Sequence, residues 1–283
     1  MSRVASVLTH RRAGETEAAL RALMGAARRA GVTLRFDVEE TAKHGLDAAD
    51  GVDVDATLSP DVDVCVVMGG DGTILTALRA YANTGVPVFA VNFGEVGFLA
   101  TLDPDGLDAD FDRAFAGDFE RLELPGITIG RPERTWTAMN DISVHRKPGL
   151  RVADLAYGLA GEEIGRVRCD GIVVSTPQGS TGYNLANGGP VLAWGVAGFV
   201  VSFIAPHSLT ARSLVVAPDD LLTINNRSPE EPVDVHADGR PVVELQPGED
   251  IHVEFARSTA VLAQLPGASF YHRLRERFGR LAR

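Results

Sequence analysis

Apolar and polar positions along this chain follow two different rhythms, and the change falls near residue 120. In the first stretch, short apolar runs alternate with segments whose apolar residues recur every three or four positions. Arg3 to Leu8 and Val32 to Val38 read as strands. Between them Glu15 to Ala30 reads as an amphipathic helix, through Ala19, Leu23, Met24 and Ala27. Glu39 to Pro60 is acidic and weakly patterned, which fits a surface loop or a short helix. Val62 to Met68 is β-branched or small and apolar apart from Asp63, a composition suited to a buried strand. Ile74, Leu75, Ala77 and Leu78 then give the apolar side of a helix. Val86 to Asn92 is a further buried strand, Gly94 and Gly97 mark a turn, and Asp110 to Phe119 reads as a short helix. Strands alternating with helices predict a mainly parallel, doubly wound sheet.

From about Arg121 the runs become short and are punctuated by Gly, Pro and Asp. They fall at 122–129, 133–145, 152–160, 163–168 and 171–176, and again at 198–204, 213–217, 221–225, 233–237, 241–245, 250–256 and 259–264. That spacing predicts an all-β domain. Ser269 to Leu281 reads as a helix. The expected fold is an α/β N-terminal doubly wound domain over 1–120, an all-β C-terminal domain over 121–265, and a closing C-terminal helical segment over 266–283. There is no internal repeat or low-complexity linker, so the two halves are expected to share a cleft.

Composition narrows the partners. The chain has 283 residues, and its 45% apolar and 23% charged content is ordinary for a soluble globular protein. A net charge of −11 argues against nucleic acid and anionic membrane, since no general basic field would draw either in. Arg273, Arg275, Arg277, Arg280 and Arg283 read as one solvated helix face or tail. Two cysteines, Cys65 and Cys169, make neither a disulfide framework nor a paired-Cys zinc site, and fit a reducing cytoplasm. The first residues, MSRVASVLTHRR, lack the apolar core of a signal peptide. Between Asp170 and Arg212 there is no Asp, Glu, Lys or Arg, yet the most apolar part, Val191 to Ala205, is shorter than the roughly 20 residues a spanning helix needs. No membrane span is expected.

The candidate chemistry begins at Gly69-Gly70-Asp71-Gly72-Thr73, between the strand and the helix. Glycines let backbone approach an anion, and the free N–H groups of a helix start point at it. Asp71 is the odd member, because a carboxylate repels phosphate; it suits a hydroxyl or a metal handled beside one. A plain tight turn would also use glycine, but the flanking strand and helix favour a ligand site. The commonest nucleotide signatures are absent. Neither lysine, Lys43 or Lys147, completes a Walker A loop, and Leu75 stands where GxGxxG needs glycine. No HExxH, paired-Cys site or GxSxG elbow occurs.

Two further stretches stand out. Asn140 and Asp141 sit within an alternating run; they read either as a turn or bulge, or as buried polar groups that need partners. Arg166 to Leu192 carries Arg168, Asp170, a strand, and then neutral donors and acceptors: Ser175, Thr176, Ser180, Thr181, Tyr183, Asn184 and Asn187. Such a loop, with a ring face at Tyr183, suits ribose hydroxyls and base edges; the alternative is a plain surface loop, against which the uncharged flanking strands count.

GGDGT at 69–73, NFGEVGFL at 92–99, Asn140-Asp141, DGIVVSTPQGSTGYNLANGGP at 170–190 and PHSLTARSLVV at 206–216 together resemble the NAD kinase family, in order and spacing. SFYHRLRERFG resembles its closing helix. The resemblance covers most of the chain, and its long middle motif is more specific than GGDGT, which also occurs in lipid kinases and, loosely, in phosphofructokinases. It implies an N-terminal α/β domain, a β-rich domain that binds the dinucleotide, and a homodimer or homotetramer. It also implies phosphorylation of the adenosine-ribose 2′-hydroxyl of NAD by ATP or polyphosphate, with a divalent metal such as Mg²⁺. By the same resemblance Gly69, Gly70, Gly72 and Thr73 meet the donor phosphates, and Asp71 is the catalytic residue. NAD would be held by Asp71, Gly72, Asn140, Asp141, Arg151, Arg168, Asp170, Thr181, Gly182, Tyr183, Asn184, Ala186 and Arg240. For Arg168 two readings stand, a pyrophosphate contact and a pair with a neighbouring carboxylate. This chain departs from the family's usual residues at Gln178, Gly182, Ala186, Ser213, Asp141 and Arg240, changes that bear on affinity and on the choice between NAD and NADH. Two rival readings are a GGDGT-type lipid kinase, against which the polar loop at 175–189 counts, and a non-catalytic NAD(P)-binding regulator, against which Asp71 counts.

Overall fold

The computed structural model describes residues 3–93, 97–100, 102, 106–131, 134–266 and 270–279. They fall into two compact units, residues 1–123 with 260–283, and residues 124–259.

In the first unit the chain runs through β1 (Arg3–Thr9), α1 (Ala13–Ala30), β2 (Val32–Arg35), α2 (Val38–His44), β3 (Val52–Asp53), β4 (Val64–Gly69), α3 (Asp71–Ala80), β5 (Pro87–Asn92) and α4 (Leu107–Ala116). Helix α1 buries Ala19, Leu20, Leu23, Ala26 and Ala27, one face at three- and four-residue spacing. It stops at Gly31, whose φ of 64° lets its N–H turn back to the Ala27 and Arg28 carbonyls. The strand expected over 32–38 ends at Arg35. Asp37 caps α2 by accepting a hydrogen bond from the Glu40 N–H at 2.8 Å, so Val38 is the first residue of a helix. On α3, Ile74, Ala77 and Leu78 are buried, while Leu75 is only partly covered. Gly94, expected in a turn, lies outside the described residues.

The second unit is built from β6 (Glu120–Arg131), β7 (Arg134–Ala138), β8 (Asp141–Arg146), β9 (Ala153–Leu159), β10 (Glu162–Cys169), β11 (Gly171–Ser175), α5 (Tyr183–Ala186), β12 (Phe199–Ile204), β13 (Leu214–Val216), β14 (Leu222–Asn226), β15 (Val233–Ala237), β16 (Arg240–Leu245) and β17 (Asp250–Gln264). Helix α6 (Phe270–Phe278) follows. One six-stranded antiparallel sheet runs β13-β12-β11-β8-β15-β16. Against it stand β10-β9-β14-β17, with β6 beside β17 and β7 beside β6. Their inward residues share a core, in which Ile142 and Val144 of β8 join Leu155, Ile224 and Val253. Each such aliphatic side chain contributes roughly 1.5–3 kcal/mol when fully buried. The run expected as one strand over 133–145 is broken at Met139–Asn140, and the runs at 250–256 and 259–264 are a single strand.

The last residues of β17 belong to the first unit, where Val261 to Ala263 pair in parallel with β5. The parallel order there is β3-β2-β1-β4-β5-β17. Because β1 leads to β2 on one side and β4 to β5 on the other, the winding reverses between β1 and β4. Ligands of open α/β sheets bind at such a reversal, beyond the strands' carboxyl ends. No described helix is long and apolar enough to cross a membrane.

Candidate active site

The loop after β4 lies at that reversal. The close approach is local: a Cβ on Gly69 would stand 2.6 Å from Thr73 Oγ1, so the turn requires glycine there. Helix α3 starts at Gly70 with no side-chain cap. The Thr73 N–H, expected on a donor phosphate, instead donates to the Gly70 carbonyl at 2.9 Å. That leaves the N–H groups of Asp71 and Gly72 as first-turn donors the helix itself does not use. Gly72 is exposed, with nothing within 4 Å of where its Cβ would stand. The neighbouring loop after β1 is basic, His10-Arg11-Arg12, and the His10 N–H donates to the Met68 carbonyl at 2.7 Å. Arg11 and Arg12 escaped the sequence reading, although their place three and four residues past the predicted strand end at Leu8 was a usable signal.

Asp71 does not swing freely. Its Oδ2 accepts the Phe98 N–H at 2.9 Å and its Oδ1 accepts the Leu99 N–H at 3.1 Å. Gly97 makes this possible, since a Cβ there would lie 2.1 Å from Oδ1. The other side of the same segment is held from α6: the Arg273 guanidinium donates to the Phe98 carbonyl, and the Phe98 ring lies 5.8 Å from Phe278 and 6.4 Å from Phe270. Arg273 is therefore only 6% exposed, contrary to its expected place on a solvated face. Arg275 is exposed as expected. A carboxylate offers about four lone-pair directions, so two N–H bonds fix Asp71's orientation and leave acceptor capacity for a hydroxyl.

In the second unit Met139–Asn140 forms the bend between β7 and β8, and Asp141 opens β8. The backbone of this bend is satisfied by side chains. Asp238 accepts the N–H groups of Met139, Asn140 and Asp141 at 3.0, 2.7 and 3.2 Å. From the other direction the Thr176 hydroxyl donates to the Met139 carbonyl at 2.8 Å, and Gln178 Nε2 donates to the Met139 and Pro125 carbonyls at 2.6 Å each. Gly179 fits only because it lacks a side chain; its Cβ would stand 2.0 Å from the Asn140 carbonyl oxygen. Asn140 Oδ1 is buried and accepts no hydrogen bond from the described residues. Asp141 is 8% exposed, and burial, with Asp238 adding repulsion, pushes its carboxyl up to about 7.

Asp141, Ser143 and His145 share one face of β8. His145 lies 4.6 Å, ring to ring, from His236 and 6.1 Å from Tyr183. Burial, with His236 adding to it, holds His145 below the usual imidazole range. The Tyr183 phenol is raised by burial and then by the Asp141 and Asp170 charges. Tyr183, Gly182 and Ala186 are exposed and Thr181 is half-buried. Asn184 is fully buried, its amide donating to the Ser180 and Pro190 carbonyls at 2.9 Å each, so this side chain braces the loop. Asp170 accepts from Arg146 Nε at 2.5 Å. Arg151 is 82% exposed and lies 3.8 Å from Glu231. Arg168 and Arg240 are exposed; it is Arg166, not Arg168, that pairs with Asp154. The structure thus gathers Asn140, Asp141 and Tyr183 with His145, His236 and Asp238, three residues the sequence reading did not assign to the site. Arg151, Arg168 and Arg240 stand on the exposed surface.

The chain matches two family models, the ATP-NAD kinase N-terminal domain over residues 3–119 and the ATP-NAD kinase C-terminal domain over residues 139–265. It is 37% identical over 222 residues to the NAD kinase of Symbiobacterium thermophilum, covering 77% of this chain and 78% of that one. With the NAD kinase of Gemmatimonas aurantiaca it shares 34% identity over 229 residues, 79% of each. Among solved structures it is similar to yeast NADH kinase complexed with NADH, with a TM-score of 0.86 and 22% identity over 98% of this chain and 87% of that one. An NAD kinase from Archaeoglobus fulgidus in complex with ATP gives a TM-score of 0.74 and 26% identity, over 99% and 98% of the two chains.

Proposed function

The chain belongs to the NAD kinase family, and on that premise we propose how its residues divide the reaction. It is a phosphotransferase that uses ATP and acts on NAD. The terminal phosphoryl group moves to the 2′-hydroxyl of the adenosine ribose, giving NADP. Asp71 accepts a hydrogen bond from that hydroxyl and then its proton as the new P–O bond forms and the bond to the donor's leaving phosphate breaks. A carboxylate is a weak base for an alcohol. The reaction tolerates this because phosphoryl transfer is largely loose and positioning supplies much of the rate. The observation that carries the reading is the Asp71 carboxylate, oriented by two backbone N–H groups beside an uncapped helix start.

The N–H groups of Asp71 and Gly72 hold the donor phosphate, and Gly69 and Gly70 let it approach. The bend at Asn140–Asp141, with Tyr183 and the loop from Thr181 to Ala186, holds the dinucleotide. With its carboxyl near 7, Asp141 both donates and accepts hydrogen bonds at neutral pH, as a ribose hydroxyl does. Arg151, Arg168, Asp170 and Arg240 complete the dinucleotide contacts in this reading. No three His, Cys, Asp or Glu side chains among the described residues cluster so as to hold a metal ion. Mg²⁺ needs no such cage, since it binds through one or two carboxylates and substrate phosphates; the carboxylate on this loop is Asp71. When bound it neutralises charge on the donor phosphates. A homodimer or homotetramer in the cytoplasm belongs to the same reading.

The test is an end-point assay with NAD, ATP and Mg²⁺, read by an NADP-specific dehydrogenase. Asp71→Asn should lower kcat at least about a hundredfold, the lower end for a positioned acid–base group. Near-normal turnover in that variant would remove Asp71 from the chemistry.

A further inference from the structure

Asp238 and Gly239 form the two-residue turn between β15 and β16, with Ala237 paired to Arg240. Both turn residues have positive φ, 47° and 73°. Such a turn favours Asn-Gly, Asp-Gly and Gly-Gly alike, so turn geometry alone does not select aspartate. The carboxylate, however, reaches a bend nearly a hundred residues away and accepts three consecutive backbone N–H groups. The Asp238 N–H returns the contact to the Asp141 carbonyl at 2.9 Å. Thr176 and Gln178 take the carbonyls of the same bend. Two groups of side chains therefore hold Met139–Asn140 from opposite ends of its peptide dipoles, in a conformation neither flanking strand would impose. The residues so held carry a buried, unfilled acceptor, Asn140 Oδ1, and a buried carboxylate, Asp141.

We propose that Asp238 is a positioning residue for the dinucleotide: its carboxylate sets the backbone of Met139–Asp141 so that Asn140 and Asp141 present their side chains to the substrate. The inference rests on the assignment of Asn140 and Asp141 to NAD. A carboxylate receiving three N–H groups makes charge-assisted bonds, stronger than those an amide oxygen would make. A neutral amide would lose one acceptor and bring a donor against an N–H.

Two variants keep the turn and remove the clamp by degrees. Asp238→Asn keeps one acceptor oxygen, and Asp238→Gly keeps positive φ without strain but deletes all acceptors. KM for NAD should rise about tenfold in Asp238→Asn and further in Asp238→Gly, while KM for ATP stays within about twofold. In the double variant Asp238→Asn/Asn140→Ala the loss should be smaller than the sum of the two single losses, because part of the Asp238 effect acts through Asn140. If Asp238 only shapes the turn, Asn and Gly will match aspartate in both KM values, and the proposal falls. Equal rises in both KM values with a lowered Tm, or losses that add in the double variant, would overturn it as well. A wild-type protein that makes no NADP defeats the reaction reading instead, and NAD titration by calorimetry then still tests the clamp.

Discussion

Asp71 carries two tasks that cannot be separated by deleting it. Its oxygens take the N–H groups of Phe98 and Leu99, so Asp71→Asn removes a backbone anchor along with the proton acceptor. A cleaner probe leaves the carboxylate in place and moves it. Gly97→Ala puts a methyl where Oδ1 now sits, with 2.1 Å between them, and the carboxylate must shift. Displacements of about 1 Å near a reacting group can cost about a hundredfold. Gly97→Ala should therefore lower kcat by about that factor in the NADP assay; unchanged kcat would mean that Asp71's fixed orientation is irrelevant. At this scale the sequence was partly readable. GGDGT and Asn140-Asp141 announce themselves as polar groups where apolar or plain turn residues are expected. Asp238 does not, because Asp-Gly is an ordinary hairpin turn and its targets lie far back in the chain. Arg273 misled for a related reason: an arginine in a basic helix reads as solvated unless a carbonyl such as that of Phe98 lies over it.

Among elements, β8 shows best how alternation divides labour. Ile142 and Val144 fill the core, while Asp141, Ser143 and His145 share the other face. The position of Asp141 at its start carries a pH dependence. Between about pH 4 and pH 7 the folded protein keeps a proton on Asp141 that the unfolded chain has released, so stability falls as pH rises through that window. In the absence of ligand, the Tm of the wild-type protein relative to Asp141→Asn should drop by ~4 °C or more from pH 5 to pH 8. Parallel Tm profiles would show that the buried carboxyl does not titrate there. Strands and helices of the first unit were legible from periodicity, since each buries one run or one face. Three boundaries were not. The strand 32–38 lost its end to the Asp37 cap, the 133–145 run broke at the Asp238-bound bend, and β17 ran unbroken past the polar Arg257 and Ser258.

For the whole molecule, the two cysteines, Cys65 and Cys169, are buried and unpaired, so no disulfide staples the chain. Burial pushes both thiols up to about 12, so neither is poised as a thiolate nucleophile. Copy number belongs at this scale, and light scattering of the purified protein should give a mass of two or four chains; a single-chain mass would remove the oligomer from the proposed function. The doubly wound and all-β halves could be read from the change of rhythm near residue 120. What could not be read is that the first unit takes its sixth parallel strand from the far end of the chain, because that strand's pattern matches its β-rich neighbours.

That borrowed strand has a consequence for synthesis. Residues 3–123 leave the ribosome first, yet β5 cannot pair with Val261–Ala263 until the whole of 124–259 has been made. At usual elongation rates this takes on the order of ten seconds. During that interval the edge of β5 carries open N–H and C=O groups and a row of apolar side chains, an invitation to pair with another nascent copy. Residues 124–259 are contiguous and wait for nothing downstream. The half of the protein made first is therefore the half completed last.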